Sequence, residues 1–262
     1  KTPTKLKANI TVRKILLRLN GDMRRYIWSF DGKTLAEDSM IKVKKGDILQ
    51  IEMINDTMMH HPIHLHVHFF RLLNGQGEYS PLKHTVDVHP MGKRTIEFEG
   101  NEEKDWFFHC HLLYHMDAGM ARVISYKEQG EDHKPNLDPA LLNPWYVMAN
   151  GSVQSHMSEG KIKFMKGRND FNILWDLGYA DDNEYEVDLI WSRYFNQNFS
   201  TFLGYRLSNE EDTENRAIAG FDYWLPLFVK SSVTVDSQGD FRFGLNKEFQ
   251  LTDRMNIFTE LE

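Results

Sequence analysis

Histidines concentrate in one part of this chain: ten of the twelve lie between residues 60 and 115. Most belong to two runs, HHPIHLHVH (60–68) and HCHLLYH (109–115), and the second run contains Cys110, the only cysteine. Successive side chains of a β-strand point to opposite faces. A strand through the second run therefore presents His109 and His111 on one face and Cys110 on the other. This pattern predicts an extended segment that serves two metal centres at once.

The face of Cys110 has further soft and nitrogen ligands nearby in the sequence. His115 and Met120 follow five and ten residues later, so one loop supplies a thiolate, an imidazole and a thioether. His61, just before Pro62, is the candidate for a second imidazole. Two histidines, one cysteine and a weak methionine form the ligand set of a blue copper electron-transfer site. Zinc has no redox chemistry and usually occupies closed tetrahedral sites, so copper is the predicted metal.

The other face predicts a second centre. His109 and His111 lie one covalent step from the thiolate, and His64 and His66, again two residues apart, would present another imidazole pair. In this interpretation Cys110 collects electrons, and His109 and His111 pass them to a site that gathers several. These three are the predicted catalytic residues.

Other histidines and methionines are not predicted to be metal ligands. We expect surface or ligand-supporting positions for His60, His68, His84 and His89. We expect flexible core filling, rather than a soft-ligand path for Cu(I), for Met53, Met58, Met59, Met91 and Met116.

The first half of the chain predicts an all-β domain. Short alternating or β-branched segments are separated by Gly, Asp and Asn turns, which is typical of an antiparallel sandwich. The single helical turn is expected around residues 112–116. The predicted strands are 9–20, 25–32, 41–56, 63–73, 84–89, 94–99, 105–110 and 119–126.

The second half alternates more regularly. In FNILWDLGY (171–179), for example, every second residue from Phe171 to Tyr179 is apolar, and Asn172, Asp176 and Gly178 lie between them. Such a meander is typical of a transmembrane β-barrel, although soluble antiparallel sheets alternate too, and both remain open. The predicted strands, too few to close a barrel of the usual minimum of eight, are 171–179, 184–195, 199–207, 216–229, 241–251 and 254–261.

Charge separates the two halves. Residues 1–126 carry a net charge of +3, and residues 127–262 carry −10, within a total of −7. We therefore expect one domain over 1–126, a polar, proline-containing linker over 127–144, and a second domain over 145–262. There is no basic stripe for nucleic acid and no apolar run long enough for a membrane-spanning helix. We expect the chain to be a fragment of a longer product.

Three motifs carry a family resemblance: HPIHLHVHFF, KHTVDVHP and DWFFHCHLLYHMDAGMARV. They resemble the C-terminal cupredoxin domain of multicopper oxidases, in particular the bacterial copper-resistance type, over residues 8–126. The resemblance implies a Greek-key cupredoxin sandwich and an enzyme that oxidises a substrate one electron at a time and reduces dioxygen to water. It implies type 1 copper ligation by His61, Cys110, His115 and Met120, type 2 ligation by His64, and type 3 ligation by His66, His109 and His111.

The chain departs from this family in two positions and in its histidine count. Many relatives have Gly where Val67 stands, and some have a carboxylate where Tyr114 stands. The family's trinuclear cluster takes eight histidines from two domains, and this chain supplies four. An upstream cupredoxin domain or a neighbouring subunit is expected to supply the others.

Residues from about 140 to 262 resemble the copper-resistance outer-membrane protein B family, more loosely and without metal-ligand motifs. Both resemblances imply bacterial copper tolerance, a periplasmic location and association with the outer membrane. The expected electron donor is Cu(I) or a phenolic reductant. Three alternatives remain open: a copper-storage or relay protein, an electron carrier with type 1 copper alone, and a structural zinc module.

Overall fold

The computed structural model describes residues 3–4, 6, 12–22, 25, 27–126, 135, 137, 142–179, 184–209, 215–252 and 255–261. The chain divides into two compact units, Lys1–Pro144 and Trp145–Glu262. Most of the predicted linker 127–144 lies outside the described residues. In the described part, no helix is both long enough and apolar enough to cross a membrane.

The first unit consists of two β-sheets. One has the strand order β2-β1-β4-β9-β6-β7, and the other has the order β3-β11-β10-β5-β8. The strands are β1 (Val12–Asp22), β2 (Ile27–Phe30), β3 (Met40–Lys42), β4 (Ile48–Asn55), β5 (His61–Leu65), β6 (Phe70–Leu72), β7 (Leu82–Lys83), β8 (Thr85–Val88), β9 (Lys93–Glu99), β10 (Asp105–Cys110) and β11 (Ala121–Ser125). Helix α1 (Leu113–Asp117) lies between β10 and β11, and a 3-10 turn spans Gly77–Tyr79.

The two sheets enclose an apolar core. Alternate residues of β4, including Leu49, Ile51 and Met53, are fully buried, as are Ile63 of β5 and Phe108 of β10. The rings of Phe30 and Phe108, one from each sheet, stack with centroids 5.6 Å apart. Burial of this apolar surface stabilises the sandwich on which the histidine-bearing strands are held.

The sandwich is mixed rather than antiparallel throughout. β1 runs parallel to β4, with Leu17 opposite Met53, and β11 runs parallel to β3, with Val123 opposite Met40. The prediction of an antiparallel sandwich is wrong at these two pairings. Alternation shows which face of a strand is buried, but both pairing directions keep the same period of two.

Two predicted strands are each divided in the structure. The segment predicted over 41–56 forms β3 and β4, because Gly46 turns the chain with a φ of 92°. The segment predicted over 63–73 forms β5 and β6, because Val67 has a φ of 68°. Positive φ is strained for a β-branched residue.

The second unit is one antiparallel sheet in which each strand pairs with the next along the chain. Its described strands are β12 (Tyr146–Val153), β13 (Met157–Lys166), β14 (Asn169–Gly178), β15 (Tyr185–Tyr194), β16 (Phe199–Ser208), β17 (Arg216–Leu225), β18 (Val229–Asp236), β19 (Phe241–Thr252) and β20 (Met255–Leu261). A 3-10 turn spans Pro226–Phe228. The sequence prediction missed β12, β13 and β18, so its strand count was too low.

In this sheet, charged side chains are buried and large apolar side chains are exposed, the reverse of the usual arrangement. Charged side chains are paired on the enclosed face, where they line a cavity of about 320 Å³. Asp188 accepts two hydrogen bonds from Arg206, at 2.9 and 2.8 Å, and Asp236 pairs with Arg216 at 2.6 Å. Large apolar side chains are exposed instead, including those of Trp191, Leu203, Phe221, Tyr223 and Phe241. The apolar positions of the alternating pattern therefore form the outer face.

We predict that Val67→Gly stabilises the first unit by about 0.5–1 kcal/mol, because glycine adopts positive φ without strain and Val67 buries little apolar surface. Val67→Ala is the control, since it keeps the Cβ and most of the strain. Urea unfolding of the chain would measure both variants. Equal stabilities for Val67→Gly and Val67→Ala would contradict the assignment of strain to this residue.

Candidate metal centre

Strand β10 and the loop after it position the cysteine. In the ladder between β10 and β5, Cys110 lies opposite Ile63, and His109 lies opposite His64. The chain then turns through α1 and returns, because the amide of Met120 donates to the carbonyl of His115 at 2.9 Å. The amide of Cys110 donates to the carbonyl of Met120 at 3.0 Å. These local hydrogen bonds hold Cys110, His115 and Met120 together.

Three ligand atoms converge at the end of this strand. Nδ1 of His61 lies 3.1 Å from Nδ1 of His115, and Sγ of Cys110 lies 3.8 and 3.7 Å from these two nitrogens. The point equidistant from all three atoms is about 2.1 Å from each, close to the 2.0–2.3 Å of metal bonds to nitrogen and sulfur. The three residues and Met120 are buried. The group, called here the thiolate triangle (His61, Cys110 and His115), fits one copper ion.

Burial sets the protonation of the triangle. It raises the pKa of Cys110 to about 12 and lowers the pKa of His115 to about 4. Burial, followed by the nearby His115, lowers the pKa of His61 to about 3. Both imidazoles are thus neutral ligands at physiological pH, whereas the thiol needs the charge of a metal ion to lose its proton.

A hydrogen-bond network orients His61. Its Nε2 lies 2.8 Å from the Thr57 hydroxyl, and that hydroxyl donates to Oδ1 of Asn55 at 2.8 Å. The side-chain amide of Asn55 donates in turn to the carbonyls of Met59, Val88 and His89. The roles of Asn55 and Thr57 were not predicted from the sequence. The segment NDT (55–57) could have indicated them, because it forms a local turn in which Oδ1 of Asn55 accepts from the amide of Thr57 at 2.9 Å.

The other four predicted ligands meet in a second group, called here the open imidazole cluster (His64, His66, His109 and His111). Ring centroids are 4.8 Å apart for His64 and His66, 5.8 Å for His64 and His111, and 5.9 Å for His109 and His111. Nε2 of His66 lies 3.0 Å from Nε2 of His109. The structure therefore brings together all four imidazoles that the sequence assigns to one centre.

Hydrogen bonds fix the tautomers of two members of this cluster. Nδ1 of His109 lies 2.9 Å from the carbonyl of Cys110, and Nδ1 of His64 lies 2.7 Å from the carbonyl of His84. A carbonyl can only accept, so Nδ1 carries the proton in both rings and Nε2 carries a lone pair that could bind a metal. Burial also lowers the pKa of His109 to about 4. The imidazole of His109 is thus prepared as a neutral Nε2 ligand.

The cluster is open on one side. His109 is buried, but His66 and His111 are exposed to solvent. Cys110 connects the cluster to the thiolate triangle directly through the backbone, since its two chain neighbours are His109 and His111.

His60, His68 and His84 lie near the two groups. His60 is exposed and pairs with Asp87 at 2.7 Å, whereas His84 contacts His64. His68 is a core residue: its Nδ1 donates to the carbonyl of His66 at 2.8 Å, and its Nε2 accepts from the Tyr126 hydroxyl at 2.7 Å.

The prediction of core filling is wrong for three methionines. Met53 is fully buried, but Met58, Met59 and Met91 are 78%, 42% and 67% exposed. They lie on two neighbouring loops, which are joined because the amide of Met91 donates to the carbonyl of Thr57 at 3.1 Å. Turns expose side chains whatever their hydropathy, and the local sequence did not reveal these turns.

The lowered histidine pKa values predict acid sensitivity of the metal-free chain. Unfolded histidines titrate near pH 6.5, whereas His61, His109 and His115 titrate at about 3, 4 and 4 when folded. Between the folded and the unfolded pKa values, the unfolded chain binds more protons than the folded chain. The contribution of these three histidines to the free energy of unfolding is therefore complete above pH 6.5 and is lost as the pH falls. At pH 5 we expect a loss of about 1–2 kcal/mol per histidine.

Urea unfolding of the metal-free chain at pH 7 and pH 5 measures this loss. The control is His109→Asn, which removes one titrating ring and should reduce the difference between the two pH values. A free energy of unfolding that does not change between pH 7 and pH 5 would contradict the assignment of neutral, buried imidazoles.

Comparison with known proteins gives relatives for the first unit. Residues 9–130 match the family model described as Multicopper oxidase. Copper resistance protein A of Escherichia coli is 42% identical over 116 residues, which are 44% of this chain and 19% of that protein. Copper resistance protein A of Pseudomonas syringae pv. tomato is 41% identical over 116 residues, with the same two shares.

Among solved structures, the multicopper oxidase McoA of Aquifex aeolicus aligns with a TM-score of 0.40 and 23% identity, over 47% of this chain and 31% of that one. The chain spans about a fifth of the length of the curated relatives it matches. The match to the family model covers the strands that carry both histidine groups and Cys110. Residues 9–130 of this chain are therefore similar to part of the multicopper oxidases.

Proposed function

We propose that the chain is part of a copper-dependent oxidase that accepts single electrons from Cu(I) or a phenolic donor and reduces dioxygen to water. The observation that carries the proposal is the direct connection of the two histidine groups. Cys110 belongs to the thiolate triangle, and its chain neighbours His109 and His111 belong to the open imidazole cluster. A storage or zinc site has no need of such a connection.

In this proposal, His61, Cys110, His115 and Met120 hold a type 1 copper. His64 serves a type 2 copper, and His66, His109 and His111 serve a type 3 pair. Bound copper would supply one-electron redox chemistry and, at the cluster, activation of dioxygen. The protein orients the ligands: Thr57 fixes the ring of His61, and the carbonyls of His84 and Cys110 keep the Nε2 atoms of His64 and His109 free.

The open imidazole cluster would form half of the site for the type 2 and type 3 coppers. The exposure of His66 and His111 supports this, because ligands that lack half of their coordination partners would lie at such an open face. The four missing histidines would come from an upstream cupredoxin domain or a neighbouring subunit. Two further His-x-His pairs are then expected in any coding sequence that precedes Lys1.

The proposed location is the bacterial periplasm, with the second unit associated with the outer membrane. Two observations support the association: the looser resemblance of residues 140–262 to an outer-membrane family, and the exposure of apolar side chains around a charged interior. A contiguous exposed apolar face is typical of an interaction surface, and lipid is a partner that matches its chemistry.

Oxygen consumption tests the incomplete site. The 262-residue chain loaded with copper should give no sustained oxygen consumption with Cu(I) as the donor, because the cluster lacks four ligands. A product extended by the histidine-bearing domain should consume oxygen. Sustained consumption by the monomeric 262-residue chain would contradict the proposal.

His109→Ala in the extended product distinguishes an oxidase from an electron carrier. It should abolish oxygen reduction but keep electron acceptance at the thiolate triangle, because the ring of His109 points to the other face. An extended product without oxygen reduction would instead indicate storage or relay of copper. His109→Ala with full oxygen reduction would exclude the proposed role of this ring.

Flotation with lipid vesicles tests the membrane association. We expect the chain to float with vesicles of bacterial outer-membrane lipids, and Leu203→Arg to reduce the floating fraction, since arginine on a lipid-facing strand costs about 2–4 kcal/mol at the bilayer midplane. Leu16→Arg, at an equally exposed leucine of the first unit, is the control. Equal flotation of the two variants would contradict the assigned surface.

A further inference from the structure

A tryptophan contacts both imidazoles of the thiolate triangle. The indole of Trp28 stacks on the ring of His115, with centroids 3.7 Å apart and planes inclined by 24°. It also meets the ring of His61 edge-on, at a centroid distance of 5.3 Å. Trp28 is 2% exposed and supplies no metal ligand of its own. Its contacts therefore act on the orientation of the ligand rings.

The two imidazoles are oriented in different ways. The ring nitrogen of His61 that faces away from the triangle, Nε2, is held by the Thr57 hydroxyl. For His115, the only side-chain hydrogen-bond contacts in the described part of the chain involve Nδ1, the atom that faces Cys110 and His61. Metal-bound histidines are normally fixed by a hydrogen bond from the second nitrogen. In His115, the stacked indole is the contact left to fix the ring plane.

The position of the Trp28 indole is fixed by its neighbours on β1 and on the loop after α1. Trp28 of β2 lies opposite Gly21 of β1. A Cβ at Gly21 would lie only 2.1 Å from the indole, so this glycine provides the space in which the ring lies. The amide of Trp28 donates to the carbonyl of Ala118 at 3.2 Å, which joins β2 to the loop between His115 and Met120.

From these contacts we infer that Trp28 is a positioning residue for the copper centre: it orients the ring of His115, and Gly21 provides the space for its indole. The inference rests on the proposed function, because it takes His115 as a copper ligand. Rotation of the His115 ring would change the separations of its Nδ1 from Sγ of Cys110 and from Nδ1 of His61. The stacked indole resists that rotation, and it thereby sets the copper affinity and the energy of the thiolate-to-copper transition.

Three variants and one control test this inference in the full chain. Trp28→Leu removes the flat surface, Trp28→Phe keeps an aromatic ring, and Gly21→Ala displaces the indole without changing any atom near the ligands. Trp106→Phe is the control, because Trp106 begins β10 and its indole donates to the carbonyl of Glu103, away from the triangle. Copper affinity, by competition with a chelator, and the visible spectrum are the two readouts.

Trp28→Leu should weaken copper binding by about 10–100-fold, the usual effect of losing a residue that orients a metal ligand, and should shift the visible band. Gly21→Ala should shift the band as well, whereas Trp28→Phe and Trp106→Phe should stay close to the wild type. If Trp28→Leu does not fold, Gly21→Ala and Trp28→Phe still decide the question.

A wild-type band and affinity in both Trp28→Leu and Gly21→Ala, even with reduced stability, would reduce Trp28 to a core residue and overturn the inference while leaving the proposed function intact. Absence of any thiolate-to-copper band in the wild-type chain would overturn both.

Discussion

The segment His109–Cys110–His111 has to be extended for its side chains to reach two centres, because only alternation along a strand separates a sulfur from its two neighbouring rings. The ladder of β10 with β5 imposes that extension and also sets His64 opposite His109. The same pairing brings the end of β5 that carries His61 toward the sulfur. One register between two strands therefore builds both histidine groups.

Burial gives these groups their chemistry. The sandwich core excludes water from the thiolate triangle, which keeps His61 and His115 neutral and the thiol of Cys110 protonated until a cation arrives. The open imidazole cluster is carried by the same strands, β5 and β10, and remains partly exposed. The difference in exposure between the two histidine groups is thus a consequence of their depth in a single domain.

The sequence predicted that Cys110 and His115 lie close together because their spacing is local. The bounds of β10 were predicted correctly, and His115 and Met120 follow within one turn and one loop. Contacts between distant segments could not be predicted: Trp28 and Thr57 reach the ligands only after the sheets have formed. The same reason accounts for the missed parallel pairings. In the second unit, three strands were missed because alternation is a weak signal in each strand alone.

The central claim is that Cys110, at the end of β10, holds one copper ion together with His61 of β5 and His115 of α1. The visible absorption spectrum of the copper-loaded chain, compared with that of Cys110→Ser, tests this claim most directly. The account predicts an intense thiolate-to-copper band in the wild-type chain and none in Cys110→Ser. A copper-loaded chain without this band, or a band that survives in Cys110→Ser, would contradict it.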